Sequence, residues 1–133
     1  MEFIKFMGIQ ERREREKERR RQQIMVAAKR VFSIKGYSRT TMEDIAKQAE
    51  VSPATIYLYF ENKQDLLNQT YIEVKGEYTK YAFETYDVMM SVEAGFKLIW
   101  NRIADFKLNE CENAMFLAQC DNTPIIDEAS RQE

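Results

Sequence analysis

The chain has 133 residues, 44% apolar and 32% charged, so it is long enough for one compact domain with a buried core. It has no apolar run that could cross a membrane, no histidine, and only two cysteines, too few for a disulfide framework or a Cys/His zinc site. Without histidine, a nucleophile elbow or a phosphate-binding glycine loop, an enzyme is the least expected class. No signal-peptide pattern occurs, so we expect a cytoplasmic protein without a cofactor, a metal or a membrane partner.

The net charge of −2 conceals an asymmetry between the two halves of the chain. Residues 1–63 carry 14 Lys/Arg against 9 Asp/Glu, whereas residues 64–133 carry 6 against 13. A basic half beside an acidic half is typical of a polyanion-binding module joined to a second module, because neutralising phosphates needs clustered cations. Solvated helix faces that merely differ in charge explain the asymmetry about equally well.

The first element in chain order is a polar segment, residues 10–23, with the sequence QERREREKERRRQQ. It has no apolar stripe, so it is either a solvated extension of the next helix or a disordered arm. A basic arm could lie along a DNA backbone, but the glutamates can equally pair with arginines within a helix. The solvated helix is the slightly better explanation, and residues 1–19 are assigned to a basic N-terminal extension, disordered or helical.

An apolar stripe then predicts the first helix of a packed unit. Its members have the spacing of one buried helix face. They are Ile24, Ala27, Ala28, Val31 and Phe32. Lys35 and Gly36 end this helix, because glycine tolerates a left-handed residue after a helix C-terminus.

The next two helices are short. Thr41 is a good N-cap for the second helix, and Asp44 three residues later completes a variant of the capping box. The sequence EVS breaks that helix, after which Ser52 caps a third helix and Pro53 takes its first position. Two short helices joined by a turn of three or four residues form a helix-turn-helix. Its inward positions are Ile45, Ala46, Ala49, Ile56 and Phe60.

The outward positions of the third helix suggest contacts with DNA. In a helix-turn-helix the second helix enters the major groove by its N-terminus, which brings residues 53–58 near base edges. The side chains that flank this surface then lie close to the phosphates. Phenol and hydroxyl donors, and a cation at the start of the following helix, suit phosphate oxygens. These candidates are Thr40, Thr41, Ser52, Pro53, Ala54, Thr55, Tyr57, Leu58, Tyr59 and Lys63. Taken singly, each is better explained as a cap or a packing residue.

Taken together, these features resemble the DNA-binding domain of the TetR family of bacterial transcriptional regulators. The resemblance is carried by GYSRTTMEDIAKQAEVSPATIYLYFENKQDL, residues 36–66, and with the first helix it covers about residues 20–70. The positions on the family's pattern are Gly36, Thr40, Thr41, Ile45, Ala46, Val51, Ser52, Tyr57, Tyr59, Phe60, Lys63 and Leu66. Glu50 departs from it, since the family usually has glycine in this turn. A left-handed Glu50 would cost on the order of 1 kcal/mol relative to glycine.

The resemblance implies an all-α fold. A three-helix helix-turn-helix headpiece, residues 20–66, is then joined through a long helix to a partial helical regulatory domain, residues 67–133. The resemblance also implies a homodimer on a palindromic double-stranded DNA operator. The implied phosphate clamps are Thr41, Tyr57, Tyr59 and Lys63, and the residues implied near bases are Pro53, Ala54 and Thr55.

Glu43 is the acidic residue that the family directs from the second helix toward the groove. There its carboxylate could accept a hydrogen bond from a cytosine N4 amino group. An anion in the first turn also stabilises its own helix, which is the better of the two explanations.

Beyond residue 66 the sequence is acidic and aromatic. Two apolar stripes predict long amphipathic helices. They are Leu67, Tyr71, Val74, Tyr78 and Tyr81, then Val92, Phe96, Ile99, Ile103 and Phe106. A shorter helix is expected over residues 112–122 and a further one near Ile125.

By resemblance, this part begins a regulatory domain in which a small effector sits between helices. Its identity cannot be read from the sequence. The candidate pocket residues are Tyr78, Tyr81, Tyr86, Met89, Met90, Phe96, Trp100 and Phe116. An aromatic stripe at helical spacing is first of all packing, so we expect only a minority of them to touch a ligand.

Two function classes remain open. The leading one is a ligand-responsive repressor, released from its operator by the effector. Family members usually run beyond 133 residues, with two C-terminal helices that form the dimer interface and that are absent here, so either the chain is a fragment or dimerisation is compromised. That absence and Glu50 motivate the rival, an interaction or ligand-sequestering protein whose headpiece serves folding only. Salt-dependent, sequence-specific DNA binding would exclude the rival.

Overall fold

The computed structural model describes residues 1–122 and 125–126. This part of the chain contains helices and no strands, which confirms the all-α class. The helices are α1 (Glu2–Lys35), α2 (Met42–Ala49), α3 (Pro53–Tyr57), α4 (Lys63–Phe83), α5 (Val92–Asn109) and α6 (Cys111–Asn122). None of the described helices combines the length and the apolar character needed to span a bilayer.

Helix α1 is continuous over 34 residues. Residues 2–19 are exposed throughout, so the polar segment is a helical extension of the packed helix, one of the two alternatives its sequence left open. The predicted apolar stripe from Ile24 to Phe32 is buried. Gly36 ends the helix with φ 80° and ψ 159°. Its φ is positive as expected, but its ψ lies in an extended region that essentially only glycine adopts rather than in the left-handed helical one.

The headpiece core is formed where α2 packs against α1 and α3 packs against α2. The residues at its centre are fully buried, and all but Leu66, which was named only for its place in the family's pattern, belong to positions that the apolar spacing placed inward. They are Phe32, Ile45, Ile56, Phe60 and Leu66. The core therefore fixes which sides of α2 and α3 face solvent.

Helix α4 leads from the headpiece into a second layer of helices. Its residues Leu67, Tyr71 and Val74 are buried as predicted. Helix α6 packs against both α1 and α4, and Lys29 Nζ donates to Asn113 Oδ1 across the α1–α6 contact at 2.5 Å. The predicted domain boundaries after residues 19 and 66 fall inside α1 and α4, and both helices continue through them.

Helix α5 forms where predicted, but its apolar stripe is only partly buried. Phe106 at its C-terminal end is buried, whereas Val92 and Phe96 near its start are 91% and 66% exposed. In this half of α5, Gly95 is buried beside the Tyr86 ring, but Val92 and Phe96 are not covered by the described part of the chain. The apolar periodicity therefore predicted the helix but not the burial of its apolar residues. The further helix expected near Ile125 lies outside the described residues, apart from Ile125 and Ile126 in a turn and a bend.

Candidate nucleic-acid interface

The start of α2 is held by a complete capping box. Thr41 Oγ1 accepts from the Asp44 N–H at 3.1 Å, and Asp44 Oδ2 accepts from the Thr41 N–H at 3.0 Å. Lys35 Nζ lies 2.9 Å from Asp44 Oδ1. The hydrogen bond from Lys35, followed by those from Thr41, lowers the pKa of Asp44 to about 2. The Thr41 hydroxyl proton is not used by the cap, so it can still be donated to an external oxygen.

The turn between α2 and α3 is set by three consecutive residues. Glu50 is left-handed, with φ 57° and ψ 42°, and the next N–H, that of Val51, donates to the Ala46 carbonyl at 3.0 Å. Ser52 then caps α3 by accepting from the Thr55 N–H at 3.2 Å. The departure from glycine at position 50 therefore falls where the backbone has positive φ, and the turn is retained.

One side of α3 is buried and the other is presented to solvent. Ile56 and, just beyond the helix, Phe60 are sealed in the core. Tyr57 and Leu58 are 54% and 79% exposed. The predicted contact residues at the start of this surface are also exposed, apart from the half-buried Thr55. They are Ser52, Pro53 and Ala54.

The remaining predicted contacts divide into accessible and enclosed residues. Thr41 and Glu43 are exposed at the start of α2, and Tyr59 is half-buried against the core. Thr40 is buried, and its hydroxyl donates to the Gly36 carbonyl at 2.7 Å. A DNA contact through the Thr40 hydroxyl does not fit this position, because the group is enclosed and already bonded. Thr40 instead ties the α1–α2 loop together.

Lys63 has a structural role that its sequence position did not reveal. Its Nζ donates to the carbonyls of Tyr37 and Thr40 at 2.9 and 3.1 Å and lies 4.2 Å from the centroid of the Tyr37 ring. The Tyr37 hydroxyl in turn donates to Gln64 Oε1 at 2.8 Å, and burial raises the pKa of Tyr37. Lys63 thus braces the α1–α2 loop against the start of α4 and keeps one of its three N–H groups for an anion.

The predicted effector residues do not converge on one cavity. Tyr78 and Tyr81 pack on Phe106, with ring centroids 5.0 and 5.8 Å apart. Phe116 is fully buried in the core, whereas Met89, Phe96 and Trp100 are exposed. Tyr86 and Met90 are also exposed. Of the eight, Tyr78 lines the cavity of about 260 Å³ between α4, α5 and α6.

That cavity includes residues the sequence did not single out. Its walls hold Phe106 and Leu117, and the lysines Lys75 and Lys107 also line it. Asp121 lines it too, and its Oδ1 accepts from the Tyr71 hydroxyl at 2.9 Å. Lysines on a polar helix face carry no sequence signal for a cavity, because the packing of α4 against α5 is what brings Lys75 and Lys107 to the same cavity.

Comparisons with known sequences point to one family. The family model described as "Bacterial regulatory proteins, tetR family" matches residues 24–70. The "Fatty acid metabolism regulator protein" of Bacillus subtilis (strain 168) is 45% identical over 56 residues, which cover 42% of this chain and 29% of that protein. The HTH-type transcriptional regulator HbdR of Aromatoleum sp. (strain CIB) is 46% identical over 61 residues, covering 46% of this chain and 27% of that protein. The chain thus spans under a third of these two relatives.

Solved structures extend the likeness to the fold beyond the headpiece. A TetR family transcription regulator from Marinobacter aquaeolei VT8 superposes with a TM-score of 0.82 at 23% identity, over 90% of this chain and 62% of that one. A TetR-family transcriptional regulator from Haemophilus influenzae Rd gives 0.75 at 26% identity, over 88% and 63%. The arrangement of α4, α5 and α6 around the headpiece is therefore shared with these regulators.

Proposed function

We propose that this chain, which belongs to the TetR family of bacterial transcriptional regulators, binds operator DNA through its helix-turn-helix. The observation that carries the proposal is that one side of α3 is buried and the other is exposed to solvent. Ile56 and Phe60 are buried in the core, while the other side presents Tyr57 and Leu58 to solvent on a helix that Ser52 caps. An exposed leucine beside an exposed phenol is available for contact with a duplex.

The exposed groups suit different parts of a major groove. Leu58 would contact a thymine methyl group, and Pro53 and Ala54 at the start of α3 would approach base edges closely because their side chains are small. The hydroxyls of Tyr57 and Thr41 would donate to phosphate oxygens on either side. Lys63 would offer its remaining N–H to a phosphate while it braces the loop.

The remaining predicted contacts take smaller parts in the proposal. Tyr59 would reach a phosphate from the flank of α3. Ser52 and Thr55 are hydrogen-bonded to each other, with their hydroxyl oxygens 2.9 Å apart, and would shape the start of the helix. Glu43 is exposed and would either accept from a cytosine or act only on its own helix dipole.

The regulatory part of the proposal is a homodimer that represses from a palindromic operator and is released by a small effector. A two-fold dimer reads two half-sites related by the same symmetry. The cavity between α4, α5 and α6 would take the effector. Its apolar walls and two lysines, against one carboxylate at Asp121 that is already bonded to Tyr71, suit an apolar molecule with a carboxylate. A Bacillus relative is named for fatty acid metabolism. Octanoate should then raise the thermal unfolding midpoint more than octanol does.

The test of DNA binding places a carboxylate on the outer side of α3. Ala54→Glu puts a negative charge against phosphates, and like-charge juxtaposition costs several kcal/mol, so affinity should fall by about a hundredfold. Ala104→Glu is the matched control, since Ala104 is exposed on α5, outside the headpiece. Fluorescence anisotropy at two salt concentrations, with duplexes from upstream of the gene and scrambled ones, gives the readout.

The outcomes separate the two function classes. Salt-dependent preference for the upstream duplex that is lost in Ala54→Glu and kept in Ala104→Glu supports the regulator. A wild-type chain that binds both duplexes equally and without salt dependence would favour the interaction protein instead.

A further inference from the structure

In the exposed first half of α1, acidic and basic residues lie on different sides of the helix. At about 100° per residue, the three glutamates Glu11, Glu14 and Glu18 fall within a sector of about 60°. A sector of about 140° on the remaining surface holds four cations, hereafter the cationic face: Arg12, Arg13, Lys17 and Arg20. Glu16 is the one acid among them, and it is paired with Arg19 at 3.1 Å. The mixed composition of this segment therefore becomes a positively charged surface once the helix forms.

The rotation of this helix is fixed by contacts on a different side. Arg21 donates to Gln69 Oε1 at 2.7 Å, and its guanidinium lies 5.8 Å from the centroid of the Phe60 ring. Gln22 donates to Glu73 Oε1 at 2.8 Å. These bonds hold one side of α1 against α4, so the direction of the cationic face is set by the packed body.

The cationic face continues the outer surface of the helix-turn-helix. Together with Glu16 and Tyr59 it lines an open groove of about 400 Å³. Tyr59 directly follows Leu58, the most exposed apolar residue of the α3 region. Among the described residues no ion pair involves Arg12, Arg13 or Lys17, whereas Arg21, about 40° beyond Lys17 around the helix, is paired with Glu18. The uncommitted cations thus lie on the side of Tyr59.

We propose that the cationic face is a second DNA-binding surface, which holds the phosphate backbone beside the half-site that α3 reads. This inference rests on the proposed function. From Arg12 to Arg20 the face extends about 12 Å at 1.5 Å per residue, along which a duplex presents several phosphates. Guanidinium groups bind phosphates through paired N–H donors without reading bases. The surface therefore adds affinity and salt dependence for any sequence, while specificity stays with α3.

The test exchanges charges between neighbouring positions of the helix. The variant Glu11→Arg, Arg12→Glu, Arg13→Glu, Glu14→Arg keeps the composition and net charge but replaces two cations of the face by acids. All four residues are exposed, so circular dichroism should show unchanged helicity. The matched control, Glu93→Lys with Lys97→Glu, exchanges an exposed ion pair on α5. Binding of upstream and scrambled duplexes is measured by anisotropy from 50 to 200 mM salt.

We expect the exchange to weaken binding of both duplexes about tenfold or more, and to make the slope of log Kobs against log salt less steep by about 2. The α5 control should bind as the wild type does. An exchanged variant with the wild-type slope and affinity would overturn the second surface while leaving the helix-turn-helix function intact. A loss confined to the upstream duplex would also overturn it, because phosphate contacts do not depend on sequence. A wild-type chain without salt-dependent binding of either duplex would overturn the proposed function itself.

Discussion

The headpiece and the layer formed by α4, α5 and α6 differ in how far their large apolar side chains are buried. In the headpiece the inward positions of α1, α2 and α3 are sealed around Phe32 and Ile56. In the second layer, Phe96 and Trp100 stack on each other, with ring centroids 6.1 Å apart, and both remain mostly exposed. The headpiece residues are buried in a core that continues into α4 and α6, whereas the start of α5 presents an apolar surface of the kind that marks interaction or ligand sites.

The largest expected effect comes from comparing the same substitution, phenylalanine to alanine, in the two regions. Phe32→Ala should destabilise the protein by about 3–5 kcal/mol, because it leaves a cavity among sealed neighbours. Phe96→Ala should cost less than about 1 kcal/mol, since most of that ring is already in water. Urea unfolding followed by circular dichroism measures both. Equal losses would mean that the start of α5 is packed in solution and that the contrast is wrong.

Lys63→Ala tests whether this lysine is a brace as well as a phosphate clamp. Loss of two hydrogen bonds and a cation–π contact in the headpiece should cost about 1–2 kcal/mol in the absence of DNA. Lys97→Ala on α5 removes only an exposed pair with Glu93 and should cost less than about 0.5 kcal/mol. If Lys63→Ala leaves the free energy of unfolding unchanged, Lys63 has no bracing role.

Glu50→Gly should stabilise the headpiece by up to about 1 kcal/mol. Position 50 is left-handed, which glycine adopts without steric strain, although part of the gain is offset by the freedom of glycine in the unfolded chain. Glu110→Gly is the comparison in the second layer, where φ is −114° and no such gain is expected. A loss of stability in Glu50→Gly comparable with that in Glu110→Gly would show that the turn stores no strain.

The smallest expected effect is the pH dependence of the capping box. The folded-state pKa of Asp44 is lowered from 3.8 to about 2 by Lys35 and Thr41. A lowered folded-state pKa gives a stability contribution that is full above the unfolded value and is lost as the pH falls through about 2. The difference in Tm between wild type and Asp44→Asn should therefore be largest above pH 4 and shrink toward pH 2. A difference independent of pH would contradict the ionic role of Asp44.

The sequence predicts the features that depend on residues close together in the chain, and it predicts poorly those that depend on how helices pack. The caps at Thr41 and Ser52 and the α3 core residues follow from short-range chemistry, and the structure has them where the sequence placed them. The left-handed backbone at Glu50 was suggested only by the glycine that the family usually has there. The hydrogen bonds of Lys63 to the α1–α2 loop were not predicted, because the carbonyls that accept them lie 23 and 26 residues away in the sequence. The burial of Thr40 was not predicted either, since it depends on how that loop packs. The burial of α5 and the walls of the cavity depend on how helices meet, which apolar spacing alone does not encode.

The measurement that tests the central claim most directly maps where a duplex touches the chain. In a two-dimensional amide NMR titration with the upstream duplex, we predict the largest shifts at the start of α2 and over residues 52–59. Amides on α5 should change little, although its apolar start is at least as exposed. Shifts concentrated on α5, with the α3 amides unchanged, would contradict the assignment of the DNA surface to the helix-turn-helix.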